Sequence, residues 1–397
     1  MTDRDLEPDV PFAGLRRHAR ALVVGALLLL VLFVLVPDIT PQSSTLPPVQ
    51  LVRGRIVELV QTTDPSVPDA RIEVTQGIPG GPATGEIVDG FLQGPTGTEA
   101  RPDFGVGDEV IVNISTDPQF HFISVNDRYR VPTLALLLVL FAAAVTVVGG
   151  WRGVRSLIAL ALTLAVIVKL VVPLILAGWD PAWVAIGAAF GVTAVTFLLT
   201  EGARRQTVAA ALGTGISLAL VAILAVIFDA LSRFTPLRGS ESAGYLISLF
   251  GANLDLGGLM LAAVIFGALG VLDDVTVTQA ATVQELYEAD PSVGRWDLVG
   301  RAMNVGRSHI AATVNTLVLA YVGASLPLIV LFAAGRQDPF LVASGEVVAV
   351  EIVRALVGSI GIVAAVPITT GIAVGLIGRR IPFLGEGTGV RHAAGWD

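Results

Sequence analysis

Eight stretches of this chain are apolar for long enough, or nearly so, to cross a lipid bilayer. They are residues 21–36, 132–149, 154–176, 182–200, 207–228, 250–272, 310–334 and 346–376. A span needs about 20 apolar residues. Backbone amides in hydrocarbon must be satisfied within their own segment, so such runs are expected to be helices. Composition agrees: 53% of residues are hydrophobic and 15% charged, against about 25% charged in soluble domains. Mean hydropathy is +0.76. The expected fold class is a membrane all-α bundle of about eight transmembrane helices, with a small all-β domain between helices 1 and 2.

Arginine placement orients the bundle. Arg16, Arg17, Arg20, Arg152, Arg155, Arg204, Arg205, Arg295, Arg301, Arg307, Arg379 and Arg380 all fall on the side of the spans that holds the N-terminus, while the short connections near 177–181 and 335–345 on the other side hold only Arg336. Cytoplasmic loops collect such charge, so both termini are expected inside. The run 21–36 follows a basic segment as a signal peptide would, yet VPDITPQSSTLPP after it carries no small-x-small cleavage pattern, and it is read as an uncleaved anchor. The expected organisation is a cytoplasmic tail at 1–20, an anchor at 21–36, an extracytoplasmic β domain at 37–131, a polytopic membrane domain at 132–378 and a cytoplasmic tail at 379–397.

Within 37–131, QLVRGRIVELVQ, ARIEVTQG, TGEIVDGF, GDEVIVNIS and FHFISVNDRYRV read as strands separated by Gly, Pro, Asp and Asn. Five or six short strands make a small antiparallel barrel or sandwich. Its lone His121 reads as structural or solvated, and the domain shows shape without chemistry.

The polar side chains of the spans are the functional candidates. The acid pair Asp273 and Asp274 ends an apolar run, and Asp274, Thr278, Ala281 and Glu285 share one helical stripe, with Gln279 beside it. The next span carries Arg307, His309, Thr313, Asn315 and Thr316. Asp255 opens the helix leading to the acid pair, and Glu351 and Arg354 stand at i, i+3 in the last span. Ionisable groups here cost several kcal/mol unless paired or used. Two readings follow: interhelical bonds that fix the bundle, or a polar path for a proton or ion. Arg354 is expected to be neutralised by Glu351 or Asp255. Asp273 is expected to pair with Arg307 or cap local structure, and Asp274 to be the functional member. In RWDLVGRAMNVGRS, Trp296, Val299 and Met303 form the apolar stripe of a helix lying in the interface. Gly187-x-x-x-Gly191 and Gly371-x-x-x-Gly375 are close-packing signals. Pro173 and Pro367 are expected to kink their helices.

GALGVLDDVTVTQAATVQEL, then RAMNVGRSHIAATVNTLVLAYVGASLP and EIVRALVGSIG, resemble the YibE/F family of bacterial multi-pass membrane proteins across roughly residues 130–380. The resemblance implies a multi-pass protein of a bacterial inner or plasma membrane with an N-terminal extracytoplasmic domain, and brings no activity with it. The family pattern has Asp after Gly-Arg; Ser308 and His309 stand there in this chain, so an acidic role does not carry over. A local pattern of apolar helix, acid pair, polar helix and Thr-rich helix is similar to the core of SecD/SecF and the resistance–nodulation–division permeases. That implies proton-driven export with a homo-oligomer supplying the missing half.

Neither HExxH nor GxSxG occurs, so catalysis is not expected, nor is a metal or cofactor. The net charge of -8 gives no reason to expect nucleic acid. The expected partners are the bilayer and an unidentified small solute or ion. The expected function is transport or export, proton- or ion-coupled, with a non-transporting scaffold for an envelope assembly as the alternative.

Overall fold

The structure is a computed structural model. It describes residues 49–60, 67–78, 81–92, 104–115, 123–202, 204–234, 255–336 and 338–377, and the chain divides into two compact units. The expected anchor at 21–36, both tails and His121 lie outside the described residues.

One unit contains a closed five-stranded barrel. Its strands are β1 (Val49–Leu59), β2 (Ala70–Val74), β3 (Ile87–Leu92), β4 (Glu109–Ser115) and β5 (Ile123–Arg128), hydrogen-bonded in the order β1-β2-β3-β5-β4. All neighbouring pairs are antiparallel except β3 and β5. The order is that of a Greek-key barrel. Alternate residues point inward, as strand geometry requires: Val52 and Ile56 of β1, Ile72 and Val74 of β2, and Val110 and Val112 of β4 are at most 4% exposed. Gly54 takes the inward place between Val52 and Ile56. A Cβ there would stand 2.6 Å from Ile72 and 3.1 Å from Val112, so the barrel closes only around a missing side chain.

The helical elements are α1 (Val131–Val166), a π-helical stretch (Ile167–Val171), α2 (Val172–Leu176), α3 (Pro181–Thr200), α4 (Arg205–Ser232), α5 (Leu256–Ala289), α6 (Arg295–Ala324), α7 (Leu326–Ala334), α8 (Pro339–Ser344) and α9 (Glu346–Leu376). Among the described residues, five helical runs are long and apolar enough to cross a membrane, or six with the α6–α7 pair, which bends by 61°. The first run, Val131–Leu176, has 46 residues. At 1.5 Å per residue it is about 69 Å long, twice the roughly 30 Å hydrocarbon thickness. Gly150 breaks it with φ 53 and ψ -136, where the sequence had placed the boundary between two spans. The π stretch lies just before Pro173, whose ring and missing N–H disrupt the ladder of the preceding turn.

Local chemistry sets the helix ends. Asp180 accepts from the backbone N–H groups of Ala182 at 2.9 Å and Trp183 at 3.2 Å, with Pro181 in the first turn of α3. Gly202 (φ 76) follows α3, and Arg233 (φ 50) closes α4 in the left-handed region.

Helices α5 and α6 run well past their apolar stretches. Nothing in VTVTQAATVQELYEA breaks a helix, so α5 continues to Ala289 and stops at Asp290-Pro291. The expected interface helix is instead the first turns of α6. Leu298, Ala302 and Gly306 are buried against the bundle, Val299 and Met303 are half-buried and pack on its cores, and Trp296 is 87% exposed. Leu298 and Ala302 join Ala280, Val283, Ala209, Phe197 and Val374 in a core separate from the main one around Leu272, Val221 and Ile362. An apolar partner was available to these polar-looking turns, and hydropathy alone does not reveal it.

The expected close-packing glycines do not pack: nothing stands within 4 Å of a Cβ at Gly187, Gly191, Gly371 or Gly375. The close approaches are elsewhere. A Cβ at Gly213 would meet Thr369, one at Gly361 would meet Val221, and one at Gly306 would meet Val366.

Candidate functional site

The direction of each helix follows from paired contacts. Gly213 lies by Thr369 and Val221 by Gly361, so α4 and α9 are antiparallel. Gln279 reaches Thr370, while Leu272 lies by Gly361, so α5 and α9 are parallel. Pro181 lies by Gly258 and Thr193 by Asp273, which makes α3 and α5 parallel. Gln279 meets Ala302, and Gly267 meets Tyr321, which makes α5 and α6 antiparallel. Neighbours in sequence thus alternate in direction, as consecutive spans must.

A layer of hydroxyl, amide and carboxylate groups crosses this bundle. Thr193 Oγ1 lies 3.2 Å from Asp273 Oδ1 and 3.4 Å from Oδ2, and donates to the carboxylate. Thr214 and Thr276 bring their hydroxyl oxygens to 2.6 Å. Thr276 Oγ1 also donates to the backbone oxygen of Asp273 at 3.2 Å. One turn further along α5, Gln279 is 3% exposed. Its Nε2 donates to Thr370 Oγ1 at 2.8 Å and to the Ala302 carbonyl at 3.1 Å, and Thr370 donates to the Val366 carbonyl at 2.7 Å. Gly306 admits the amide: a Cβ there would stand 2.9 Å from Gln279 Oε1. Thr193, Thr214, Thr276, Thr369 and Thr370 are all at most 4% exposed.

The carboxylates of the acid pair have different surroundings, as adjacent helical positions about 100° apart should. Asp273 is half-buried among the threonines, while Asp274 and Thr278 are exposed on the face of α5. None of the ion pairs among the described residues involves Asp273. Arg307 is exposed and donates to Asn304 Oδ1 at 3.3 Å, so the expected Asp273–Arg307 pair does not form. The cause is rotation: Arg307 follows the buried Gly306 by 100° and leaves the α5 face.

Glu351 neutralises Arg354, with Nη1 2.9 Å from Oε1 and 3.1 Å from Oε2. Asp255, the other expected partner, caps α5 by accepting from the Gly258 N–H at 3.0 Å. Of the α6 candidates, His309 and Thr313 are half-buried, and Asn315 and Thr316 are exposed. His309 Nε2 has no hydrogen-bond partner, and Thr316 donates to its own helix at the Ala312 carbonyl, 3.0 Å away. The structure therefore joins Asp273 and Gln279 to one polar layer, pairs Glu351 with Arg354, and leaves Asp274, Thr278, Arg307, Asn315 and Thr316 outside both.

Sequence reasoning missed Thr193, Thr214, Ser217, Thr276, Thr369 and Thr370. Their signal was present as hydroxyl residues within the otherwise apolar runs FGVTAVTF, GTGISL and PITTGIA, and in DDVTVTQ after the acid pair. A shallow crevice between Arg205, Gln206 and Gln284 lies apart from this layer and holds one ionisable lining group.

A β barrel joined in sequence to alternating apolar helices with a polar central layer defines a multi-pass membrane protein. The family model for YibE/F-like proteins matches residues 137–379, and the chain belongs to that family. The match covers the helical segments from within α1 to just past α9. No curated protein and no solved structure matches the chain.

Proposed function

We propose that the protein is a proton- or ion-coupled transporter or exporter of the cell membrane, with its barrel outside and both termini in the cytoplasm. The supporting observation is Asp273. A carboxylate with no cationic partner among the described residues, held between apolar helices by threonine hydroxyls, is costly to keep. A structural role would be met as well by an amide or hydroxyl. A coupling role needs a group whose charge is cancelled by the transported ion or proton. Asp273 is also half-buried rather than sealed. Transport rather than catalysis is the chemistry such a site serves.

The scaffold reading has its own support. Arg354 is paired within its helix, and the core around Leu272 and Ile362 is closed, both being fully buried. Metabolite and metal profiles of a deletion strain, an Asp273→Asn strain and an Asp274→Asn strain separate the two. Transport through Asp273 requires the Asp273→Asn profile to match the deletion while the protein remains folded in the membrane. An Asp273→Asn profile equal to the parent favours the scaffold.

A further inference from the structure

The side chains left outside both groupings turn outward from the bundle. Asp274 and Thr278 are exposed on α5, and Arg307, Asn315 and Thr316 are exposed on α6. They stand at the depth of the spans. Asp274 follows Asp273, which meets Thr193 inside the 20-residue span α3, and Asn315 lies in the α6–α7 pair, apolar enough to form a bent span. Among the described residues, neither Asp274 nor Asn315 has a hydrogen-bond or ion-pair partner. A carboxylate and an amide turned to lipid at this depth are costly, so such groups face protein or water. The Asp274 stripe also runs beside α6: Gly267, two turns away on the same face, lies against Tyr321.

We propose that this outward face of α5 and α6 joins two copies of the chain as a two-fold dimer within the membrane. Its chemistry suits a second copy rather than a different partner. Gln279 of α5 meets Ala302 of α6, and Asp274 and Arg307 each lie an equal number of residues, about 7.5 Å, toward the same end of this antiparallel pair. The acid and the base are therefore level, yet they form no ion pair within the protomer. A two-fold axis along the membrane normal keeps every residue at its own depth and makes each contact twice. Asp274 of each copy thus comes level with Arg307 of the other. Asn315 is self-complementary as well: its amide both donates and accepts, so two copies of it satisfy each other. Ser308, Ala312, Thr316 and Ala320 recur every fourth residue beside it, and all are exposed. Side chains this small let two backbones approach closely. The dimer goes beyond the transport and scaffold readings and is compatible with either.

The test is disulfide cross-linking of the full-length chain in native membranes, which its lack of cysteine makes clean. Two cysteines bridge only when their Cα atoms lie within about 7 Å. Single Ser308→Cys, Ala312→Cys and Asn315→Cys proteins, oxidised with copper phenanthroline, should give a product of twice the monomer mass. Leu198→Cys on α3 and Ile223→Cys on α4, at positions 55% and 57% exposed, should stay monomeric. Adding Asn315→Leu to Ala312→Cys should weaken association about three- to tenfold. Asp274→Arg or Arg307→Asp alone should lower the cross-linked fraction, and the two together should restore it. Monomer at all three α6 positions overturns the interface. Equal dimer at Leu198→Cys and Ile223→Cys overturns it too, by showing random collision. A cross-linked product of any other mass overturns the second copy as the occupant. Cross-linking indifferent to Asn315→Leu and to the charge exchange overturns the pairing assigned to these residues.

Discussion

Thr193 Oγ1 stands 3.2 Å from Asp273 Oδ1, joining α3 to α5 across 80 positions of sequence. One helical turn away, Thr196 spends its hydroxyl on the Thr193 carbonyl at 3.2 Å and on that of Val192. The two threonines therefore make a matched pair for substitution. Thr193→Val keeps the shape and removes a donor to a carboxylate, a bond worth about 1.5–3 kcal/mol. Thr196→Val removes only a bond to its own helix and should change stability by about 0.5 kcal/mol or less. Unfolding in detergent should rank them in that order, and equal midpoints would remove the significance attached to the Thr193 contact.

The bundle and barrel were largely legible because both rest on periodic patterns. Alternation along VRGRI and EVIVNI fixed the strands, and long apolar runs fixed the helices. The polar layer was less legible. Asp273 and Asp274 read alike in sequence, and Asp274 looked the stronger because Thr278 and Glu285 share its stripe. Which carboxylate turns inward depends on the rotation of α5 against α3 and α4, set by contacts such as Gly258 on Pro181 and Thr276 on Thr214. Isolated threonines carry no sign of whether they bond a neighbouring helix or their own backbone, as Thr193 and Thr196 demonstrate. The Glu351–Arg354 pair was legible because i, i+3 spacing alone puts both on one face.

The glycines divide by contact, and their alanine variants should divide the same way. At Gly361 a Cβ would run into Val221, and at Gly213 into Thr369. Overpacking of this kind costs about 1–3 kcal/mol. At Gly187 a Cβ meets nothing within 4 Å. Gly187→Ala should therefore be neutral or stabilising by about 0.5–1 kcal/mol, the helix-interior preference for Ala over Gly. Thermal midpoints of the three purified variants check this, and a Gly361→Ala protein as stable as the parent would contradict the packing.

Arg354→Ala leaves Glu351 charged without its partner, and Glu351→Gln leaves the guanidinium likewise. Each single variant should lower the yield of folded protein, and the double variant should recover part of the loss. The coupling expected for groups in direct contact is about 0.5–3 kcal/mol. The side chains are 23% and 31% exposed, which places it toward the lower end. Strictly additive losses would break the pair as a stabilising element.

Acid should weaken the barrel. Arg53 donates to Glu109 at 2.7 Å and lies over the Tyr129 ring at 4.3 Å. Its guanidinium holds the Glu109 carboxyl below its ordinary value of 4.5, and Arg130 holds Asp127 below 3.8 by the same kind of bond. A carboxyl whose pKa is lower in the folded state contributes stability above its unfolded value and loses it as pH falls through the folded one. The barrel's unfolding midpoint should thus decline from about pH 5 downward. Glu109→Gln should flatten part of that decline and leave the midpoint at neutral pH lower than the parent's. An unchanged acid slope in Glu109→Gln would assign the loss to other groups.

The absence of cysteine from the whole chain makes orientation directly measurable. Glu58 is exposed on β1, and Glu288 is exposed near the end of α5. With the barrel outside and the α5–α6 turn in the cytoplasm, the two positions lie on opposite sides of the membrane. Arginine asymmetry motivates this assignment: Arg295 and Arg301 flank the α5–α6 turn, as Arg204 and Arg205 flank the turn before α4. Single Glu58→Cys and Glu288→Cys proteins should therefore respond differently to a membrane-impermeant maleimide. In intact spheroplasts Glu58→Cys should label fully, and Glu288→Cys should label only after permeabilisation. The alternating helix directions hold in either orientation, so a reversed labelling pattern would invert the topology without disturbing the fold. Labelling of both positions in sealed spheroplasts would place them on one side and defeat the assignment altogether.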